Sequence, residues 1–166
     1  MTDITARLAL PLLESGQAQK EVTHNEALAR LDLAVQASVL ASGLSTPPVA
    51  PADGQAWIVG DSPTGAWTGQ GRAVAGWTVG GWRFVAPFEG MAVWSVADAL
   101  VLRFIAGAWV AGRVTATRLV VGGVPVVGPQ QAPIAAPIGG ASVDVEARTT
   151  ISVILQTLRS HGLIAG

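Results

Sequence analysis

Cysteine and tyrosine are both absent from this 166-residue sequence, and charged residues are scarce. Without cysteine the chain can form no disulfide, no thiol nucleophile and no thiolate metal site. Charged residues make up 13% of the chain, against about 25% in an ordinary globular protein, and the formal net charge is -1. This balance offers no basic surface for nucleic acid or for an acidic membrane, so we expect neither as a partner.

Long hydrophobic runs are missing as well. The apolar stretch from Leu8 to Leu13 is interrupted by Pro11 and falls far short of the roughly 18 to 20 residues that cross a bilayer. The first residues include Asp3 and lack the basic segment that opens a secretory signal. We therefore expect no membrane insertion and synthesis inside the cell without export by that route.

Motifs that support catalysis or metal binding are not found in the sequence either. His24 and His161 both lie at the ends of predicted helices, and neither has a second ligand at metal-binding spacing. The glycines of residues 60–65 have phosphate-loop spacing but lack the lysine that should follow. The carboxylates of the central region lie in or beside predicted turns, where such residues are common for local reasons. We expect no enzyme activity, no cofactor and no metal.

What the sequence does contain is apolar surface broken by turn residues. Half of the residues are hydrophobic, beside 20 glycines and 10 prolines. This combination suits neither a disordered tail nor an ordinary water-soluble monomer. It predicts a protein that hides part of its surface against other chains.

Residues 44–127 are predicted to form a small antiparallel β domain. Three triplets of glycine, a small residue and tryptophan end at Trp67, Trp82 and Trp109, and each is typical of a tight turn followed by a strand. Turns recur about every ten residues, which favours an antiparallel meander or barrel over βαβ units. The predicted strands are Gln55 to Val59, Arg72 to Thr78, Trp82 to Ala86, Met91 to Val96, Leu100 to Ile105, Trp109 to Gly112, Thr117 to Val121 and Val124 to Val127. The predicted fold class is mainly β with flanking helices.

Residues 1–43 are predicted to form an extended arm of about 22 residues and then a helix. Thr23 and Glu26 have the spacing of a capping box, which predicts the helix start. An apolar stripe follows at helical spacing, and the helix should end near Ser42–Gly43. The stripe consists of Leu28, Leu31, Val35 and Val39. A proline-rich linker leads from this helix to the β domain.

Residues 128–166 are predicted to form an extended proline- and glycine-rich tether and a short helix. Asp144 is a good N-cap for this helix, and Gly162 matches a glycine C-cap. The seam Ala147, Ile151, Ile154 and Leu158 resembles two heptads of a coiled coil, and isoleucine at both core positions favours three or more strands. The alternative is an amphipathic helix that packs on its own domain. The tether should lie along a neighbouring subunit.

The two helices are expected to form the subunit contacts of a homo-oligomer. Three copies are the expected number, and five are the alternative. The expected interface residues are Leu28, Leu31, Val35, Ile151, Ile154 and Leu158.

Six tryptophans invite a carbohydrate-binding interpretation, because exposed indole rings stack on sugar rings. The set expected to be exposed lies in a loop-rich stretch and comprises Trp67, Gln70, Arg72 and Trp77. The other indoles, Trp57, Trp82, Trp94 and Trp109, are expected to fill the core of the sheet. For any single indole, a place in the core or in a subunit interface is favoured over a ligand contact.

The segment from Leu10 to Asp32, with Gly16–Lys20 and Thr23–Leu28 as its specific parts, resembles the start of a family of unknown biochemical activity. That family occurs in phages, prophages and the gene transfer agents of alphaproteobacteria. Further matching pieces follow, and the resemblance covers roughly residues 8–112. These pieces are Pro51–Gly54, Trp57–Gly60, Thr64–Trp67, Gly81–Phe84, Pro87, Glu89–Gly90 and Gly107–Val110. The ending, from Val145 to Leu163, is similar to the closing helix of many phage structural and fibre proteins.

The resemblance implies a structural protein of a phage-like particle, a head spike or tail fibre involved in adsorption to a capsulated host. It implies assembly in the bacterial cytoplasm, a place on the particle surface, and contacts with capsid, spike or fibre proteins. Gln17, Gln19 and Lys20 would then belong to the attachment arm. A carbohydrate-binding module that recognises host capsule polysaccharide is the alternative function.

Overall fold

The computed structural model describes residues 3–14, 16, 20–141 and 144–165 of the chain, which form two compact units. The first unit ends at Arg113, and the second begins at Val114. Gln17 and Gln19 of the expected attachment arm lie outside the described residues. Lys20, the third residue of that set, is exposed at the start of the first helix.

The first unit contains one α-helix, a short 3-10 helix and eight strands within the described residues. The helix α1 spans Lys20–Ala34, and the 3-10 helix spans Gly65–Trp67. The strands are β1 (Ser38–Val39), β2 (Ser42–Leu44), β3 (Ala56–Val59), β4 (Val74–Thr78), β5 (Gly81–Val85), β6 (Ala92–Ser95), β7 (Leu100–Ile105) and β8 (Ala108–Ala111). Six of them, β3 to β8, match the predicted strands of this unit, most of them to within two residues. The prediction of a mainly β fold with flanking helices is confirmed.

The eight strands form two four-stranded sheets. Sheet I has the order β2-β3-β4-β5, and sheet II has the order β1-β6-β7-β8. Most neighbours are antiparallel, as predicted, but β1 runs parallel to β6 and β2 runs parallel to β3. Only Leu40 and Ala41 separate β1 from β2, so one short segment contributes an edge strand to each sheet.

The prediction that the first helix continues to Ser42–Gly43 is wrong. The helix begins at Lys20, which places Thr23 inside it rather than at its cap, and it ends at Ala34. Gln36 adopts a left-handed backbone with φ of 46°, which breaks the helical path. Val39, expected on the helix stripe, is instead buried in β1, where pairing with β6 satisfies the backbone.

Sheet I is covered on both faces, which explains why all four residues of β3 are buried. On one face Ile58 and Val74 join Val93 and Leu102 of sheet II in a shared core, together with Leu33 of α1. On the other face a second cluster forms around buried indole rings. Helix α1 packs against β4 and β5, and Leu33 is its most buried residue, at 1% exposure.

The arm before α1 folds back on its own chain instead of extending away from it. Ile4 and Pro11 form an antiparallel bridge, and the loop between them contacts the end of α1. The carboxylate of buried Asp32 accepts hydrogen bonds from the Thr5 hydroxyl (2.7 Å), the Leu8 N–H (2.6 Å) and the Arg7 N–H (3.1 Å). We call these contacts the Asp32 latch.

The guanidinium of Arg7 adds a cap to the same helix end. It donates to the backbone oxygens of Asp32 (2.5 Å), Leu33 (3.2 Å) and Gln36 (2.9 Å). These carbonyls lack partners inside the helix, and a cation at this end is also favoured by the helix dipole. The arm therefore supplies the helix terminus that the sequence of α1 itself does not encode.

The second unit consists of a hairpin, an extended segment and a helix. Strands β9 (Leu119–Val121) and β10 (Val124–Val127) form the hairpin, and helix α2 spans Val145–Ser160. Both predicted caps of α2 are confirmed. Asp144 Oδ1 accepts from the Ala147 N–H at 2.8 Å, and Gly162 has a positive φ of 69° just beyond the helix.

The extended segment 128–141 contacts α2 of its own chain. Arg159 donates to the Ile134 oxygen at 2.6 Å, and Arg148 donates to the Gly139 oxygen. Gln131 pairs in parallel with Ile164 just after the helix. Among the described residues from 114 onwards, Leu155 and Ile164 are the two that are buried.

Candidate functional site

Four of the six tryptophans form one cluster on the outer side of sheet I. Trp67 lies 5.1 Å from Trp82 and 6.4 Å from Trp57, and Trp77 lies 5.0 Å from Trp82, all between ring centroids. Trp67 is fully buried, at 0% exposure, so its proposed role as an exposed ligand contact is wrong. The 3-10 helix of Gly65–Trp67 turns this indole inward, because its apolar ring gains more from burial than from solvent.

The other members of the expected ligand set lie apart from one another. Trp77 is half-buried at the edge of the cluster, and Gln70 occupies the turn after Trp67, where its N–H donates to the Trp67 oxygen at 2.9 Å. Arg72 is exposed and donates to the Gly107 oxygen in the turn between β7 and β8. The structure therefore does not bring these four residues together into one site.

Trp94 also differs from its expected place in the core. It is 45% exposed, because β6 alternates and Val93 and Ser95 take the buried positions. Its cross-strand neighbour on the outer face of sheet II is Val101, which is 40% exposed. The alternating pattern of β6 predicts that one face of the strand is buried, but it does not say which face. The general preference of tryptophan for buried positions predicts the wrong face here.

A cleft of about 500 Å³ lies between the two sheets where β2 and β3 approach β7 and β8. We call it the inter-sheet cleft. Its polar lining includes Asp61, Arg72 and Asp98, and the ring of Trp109 forms part of its wall. Three of these residues, Asp61, Asp98 and Trp109, were not among the ligand candidates that the sequence suggested, because separate elements of the chain carry them to Arg72.

Arg72 is fixed at the mouth of this cleft by contacts to both sheets. Its Nε donates to Asp61 Oδ1 at 2.6 Å, and its Nη1 donates to the Gly107 oxygen at 2.8 Å. Its own backbone oxygen accepts from Trp109 Nε1 at 2.8 Å. Arg72 therefore joins the loop before β4 to the turn between β7 and β8.

The backbone of Arg72 is left-handed, with φ of 67°. A residue with a Cβ atom pays for this conformation, and such strain often persists where function fixes the geometry. Asp98 is also held, because its Oδ2 accepts from the buried Ser95 hydroxyl at 2.6 Å. The polar groups of the cleft are thus positioned by the fold itself.

Replacing Arg72 by glycine and by alanine should separate the strain from the hydrogen bonds. The alanine variant loses the bonds to Asp61 and Gly107 and keeps the strained backbone, so we expect its unfolding free energy to fall by about 1 to 2 kcal/mol. The glycine variant loses the same bonds but relieves the strain and should be about 1 kcal/mol more stable than the alanine variant. Urea unfolding followed by tryptophan fluorescence measures both. Equal stability of the two variants would contradict a strained Arg72.

A second cavity, of about 550 Å³, lies between the arm, α1 and the turn after β4. We call it the arm cavity. Its walls include Ile4, Val22 and Trp77, and the ion pair between Arg83 and Glu26 lines it, with Nε and Oε2 at 2.5 Å. The lining is mostly apolar, and most of its polar side chains already have partners: Thr5 and Asp32 in the latch, Glu26 and Arg83 with each other, and Asn25 and Thr78 on nearby backbone groups. The arm cavity therefore offers few free groups for recognising a polar ligand.

The expected interface residues of α1 lie on its outer face. Leu31 is 50% exposed and Leu28 is half-buried, and Val35, directly after the helix, is 45% exposed. The helix turns Leu33 inward instead, so Leu31 and Val35 of the predicted stripe are available for contacts with another molecule, whereas Val39 is buried in β1.

Helix α2 shows the same arrangement. Ile151 and Ile154 are 43% and 52% exposed, Leu158 is half-buried, and the buried position belongs to Leu155. The residue spacing predicts a seam that includes Ile151, Ile154 and Leu158. It does not predict the burial of Leu155, which directly follows Ile154 in the helix. Both faces of the neighbouring hairpin are exposed too, with relative exposures between 42% and 61%. Its exposed aliphatic residues are Leu119, Val120, Val121, Val124, Val126 and Val127.

The residues that the structure describes contain neither a metal-binding cluster nor a membrane-spanning helix. No three His, Asp or Glu side chains in that part of the chain come close enough to hold a metal ion. Neither α1 nor α2 is long and apolar enough to cross a lipid bilayer.

A comparison with protein-family models finds one that matches residues 24–110, described as a protein of unknown function (DUF2793). The matched segment begins inside α1 and ends in β8, so it covers both sheets, the tryptophan cluster and the inter-sheet cleft. A search of curated proteins finds no match.

Proposed function

We propose that this chain, which belongs to the DUF2793 family of proteins of unknown function, is a homo-oligomeric structural protein on the surface of a phage-like particle. In this role it forms a spike or fibre that takes part in attachment to a host cell. The particle setting is supported by the sequence resemblance of residues 8–112 to proteins of phages and gene transfer agents. The oligomeric state is supported by the second unit, in which most of the large aliphatic side chains among the described residues are exposed.

The observation that carries the proposal is the small core of this second unit. Leu155 and Ile164 are its buried residues among those described, whereas Ile151, Ile154 and the aliphatic residues of the hairpin are exposed. A two-stranded hairpin and a helix of 16 residues are each marginal in water by themselves. Contact with further copies would remove these side chains from water and supply the missing stability.

Three copies fit the α2 seam best. Ile151 and Ile154 occupy the two kinds of core position of a short coiled coil, and isoleucine at both favours trimers over dimers. Leu31 in α1 and Val35 directly after it offer a second apolar surface for the same assembly or for another protein of the particle. The low charge of the chain also allows close packing between copies with little electrostatic repulsion.

The mass of the full-length chain in solution tests the proposal. We expect light scattering to give about three times the chain mass of 16.9 kDa at micromolar concentration. Replacing both Ile151 and Ile154 by glutamate should reduce the mass to that of one chain, because charges placed in a core seam oppose association. Near-ultraviolet circular dichroism of the tryptophan cluster should stay unchanged and show that the first unit is still folded.

The matched control carries glutamate at Val49 and Val114, which are 103% and 85% exposed. It adds the same charge at apolar positions outside both helices and should keep the wild-type mass. A monomeric wild-type chain would overturn the proposal. An unchanged mass in the variant with glutamate at Ile151 and Ile154 would remove α2 from the interface.

A further inference from the structure

We propose that the inter-sheet cleft binds a neutral saccharide. The inference deepens the proposed attachment function and rests on it for its setting, because it names the class of host molecule that the protein contacts. The site differs from the set suggested by the sequence. It retains Arg72 from that set and adds Asp61, Asp98 and Trp109.

Three side chains present hydrogen-bonding atoms to the cleft in fixed positions. Asp61 and Asp98 each use one carboxylate oxygen in an internal bond, to Arg72 Nε and to the Ser95 hydroxyl respectively. Each carboxylate keeps its second oxygen as an acceptor. Arg72 uses Nε and Nη1 internally, and its Nη2 has no partner among the described residues. These internal bonds restrain the side chains that carry the two acceptors and the donor, which lowers the entropy cost of ordering them on binding.

Trp109 supplies the apolar part of the site. It is half-buried, packs edge-on against Phe104 with ring centroids 5.3 Å apart, and is anchored through its N–H to the Arg72 oxygen. An indole fixed in this way offers a rigid surface for the C–H groups of a sugar ring. A ring surface beside convergent hydrogen-bonding groups suits a ligand that is apolar on one face and hydroxylated at its edge.

The charge of the cleft favours neutral saccharides over acidic ones. Its two carboxylates outnumber its single guanidinium, so the local formal charge is negative. An acidic saccharide would bring its own carboxylates toward Asp61 and Asp98 and be repelled. Hydroxyl groups can donate to both carboxylates and accept from Arg72, and hydrogen bonds to charged groups are the stronger kind. A neutral saccharide is therefore the better match. The volume of about 500 Å³ lies within the range of small-ligand sites.

Fluorine NMR of the full-length chain labelled with 5-fluorotryptophan tests the site directly. Each of the six indoles contributes one signal, and the signal missing from the Trp109→Phe variant identifies Trp109. The neutral probes are maltotriose, cellotriose and mannotriose, and the acidic probe is trigalacturonate. We expect at least one neutral probe, at concentrations up to about 10 mM, to shift the Trp109 signal and to leave the Trp94 signal in place. Trigalacturonate should leave both signals in place.

Matched variants show whether the cleft is the site. Trp109→Phe and Asp98→Asn should each weaken binding of the responding probe about tenfold, as judged from the remaining signals and from calorimetry. Trp94→Phe and Asp53→Asn make the same two changes outside the cleft and should bind as the wild type does. Unchanged signals with all three neutral probes, or equal loss in the control variants, would overturn the proposal. Tighter binding of trigalacturonate than of the neutral probes would overturn the assignment to neutral saccharides.

The result is separable from the proposed oligomeric function. Light scattering of the same samples reports the mass of the protein, and the cleft lies wholly within the first unit. A monomer that binds maltotriose would refute the oligomer and support the saccharide site. A trimer that binds none of the neutral probes would support the oligomer and refute the saccharide site.

Discussion

Replacement of Asp32 by alanine is expected to lower the free energy of unfolding of the first unit by about 3 to 5 kcal/mol. The buried carboxylate accepts hydrogen bonds from the Thr5 hydroxyl and from two backbone N–H groups of the arm. Alanine leaves all three donors without these acceptors and opens a cavity beneath the arm. Urea unfolding followed by tryptophan fluorescence measures the loss.

The control for this experiment is Asp53→Ala, which removes an exposed carboxylate from a turn and should change stability by less than about 0.5 kcal/mol. Limited proteolysis adds a second readout, because release of the arm should expose residues 3–14 to cleavage. If Asp32→Ala does not fold, Asp32→Asn keeps one acceptor oxygen and allows the measurement. A loss below about 1 kcal/mol for the alanine variant, with no added cleavage of the arm, would contradict a structural role for the Asp32 latch.

Replacement of Gly76 by alanine is expected to destabilise the first unit by about 3 kcal/mol. Gly76 lies in β4 directly beneath α1, and a Cβ atom added there would stand 2.1 Å from Leu33 Cδ2 and 2.5 Å from Leu33 Cδ1. Leu33 is 1% exposed and packed on the shared core, so its side chain has little room to move away. The helix would have to lift from the sheet. Thermal or urea unfolding measures the effect.

The double variant with alanine at both Gly76 and Leu33 distinguishes this clash from a general loss of flexibility. Leu33→Ala alone should cost about 2 to 5 kcal/mol through the cavity it leaves. In the double variant the methyl group added at position 76 occupies part of the cavity left at position 33. The double variant should therefore be more stable than the sum of the two single losses predicts. Gly128→Ala, at a glycine with open space around it, is the control and should be nearly neutral. Additive losses would contradict the contact between Gly76 and Leu33.

The strands of the β domain could be predicted because their signals are local. Glycine turns and alternating residues set the bounds of β7 and β10 to the residue, and Asp144 and Gly162 fixed the ends of α2. The short strands β1 and β2 carry no such signal. They are extended because β6 and β3 offer them parallel edges, and these partners are distant in sequence. Tertiary pairing of this kind overrides local propensity.

The candidate site shows the same limit. Sequence neighbours such as Trp67, Gln70 and Arg72 suggested a common surface, yet a single inward turn buries the first and leaves the last exposed. Trp109 joins Arg72 through a hydrogen bond across 37 positions, and no local pattern contains that contact. The sequence marks Asp32 only as the last residue of the segment that resembles the phage-related family. Its structural role depends on hydrogen-bond donors from an arm that folds back over the helix.

The segment that carries both β1 and β2 affects how the protein folds during its synthesis. Since only Leu40 and Ala41 lie between the two strands, this stretch is fully anchored only when both sheets have formed. On the ribosome, β2 can pair once β3 has emerged, but β1 must wait for Trp94 and Ser95. Contacts so distant in sequence slow folding, and the waiting edge is open to neighbouring nascent chains. Production of this protein should therefore benefit from lower temperature and a lower expression level, because both reduce association between chains in which this edge is still unpaired.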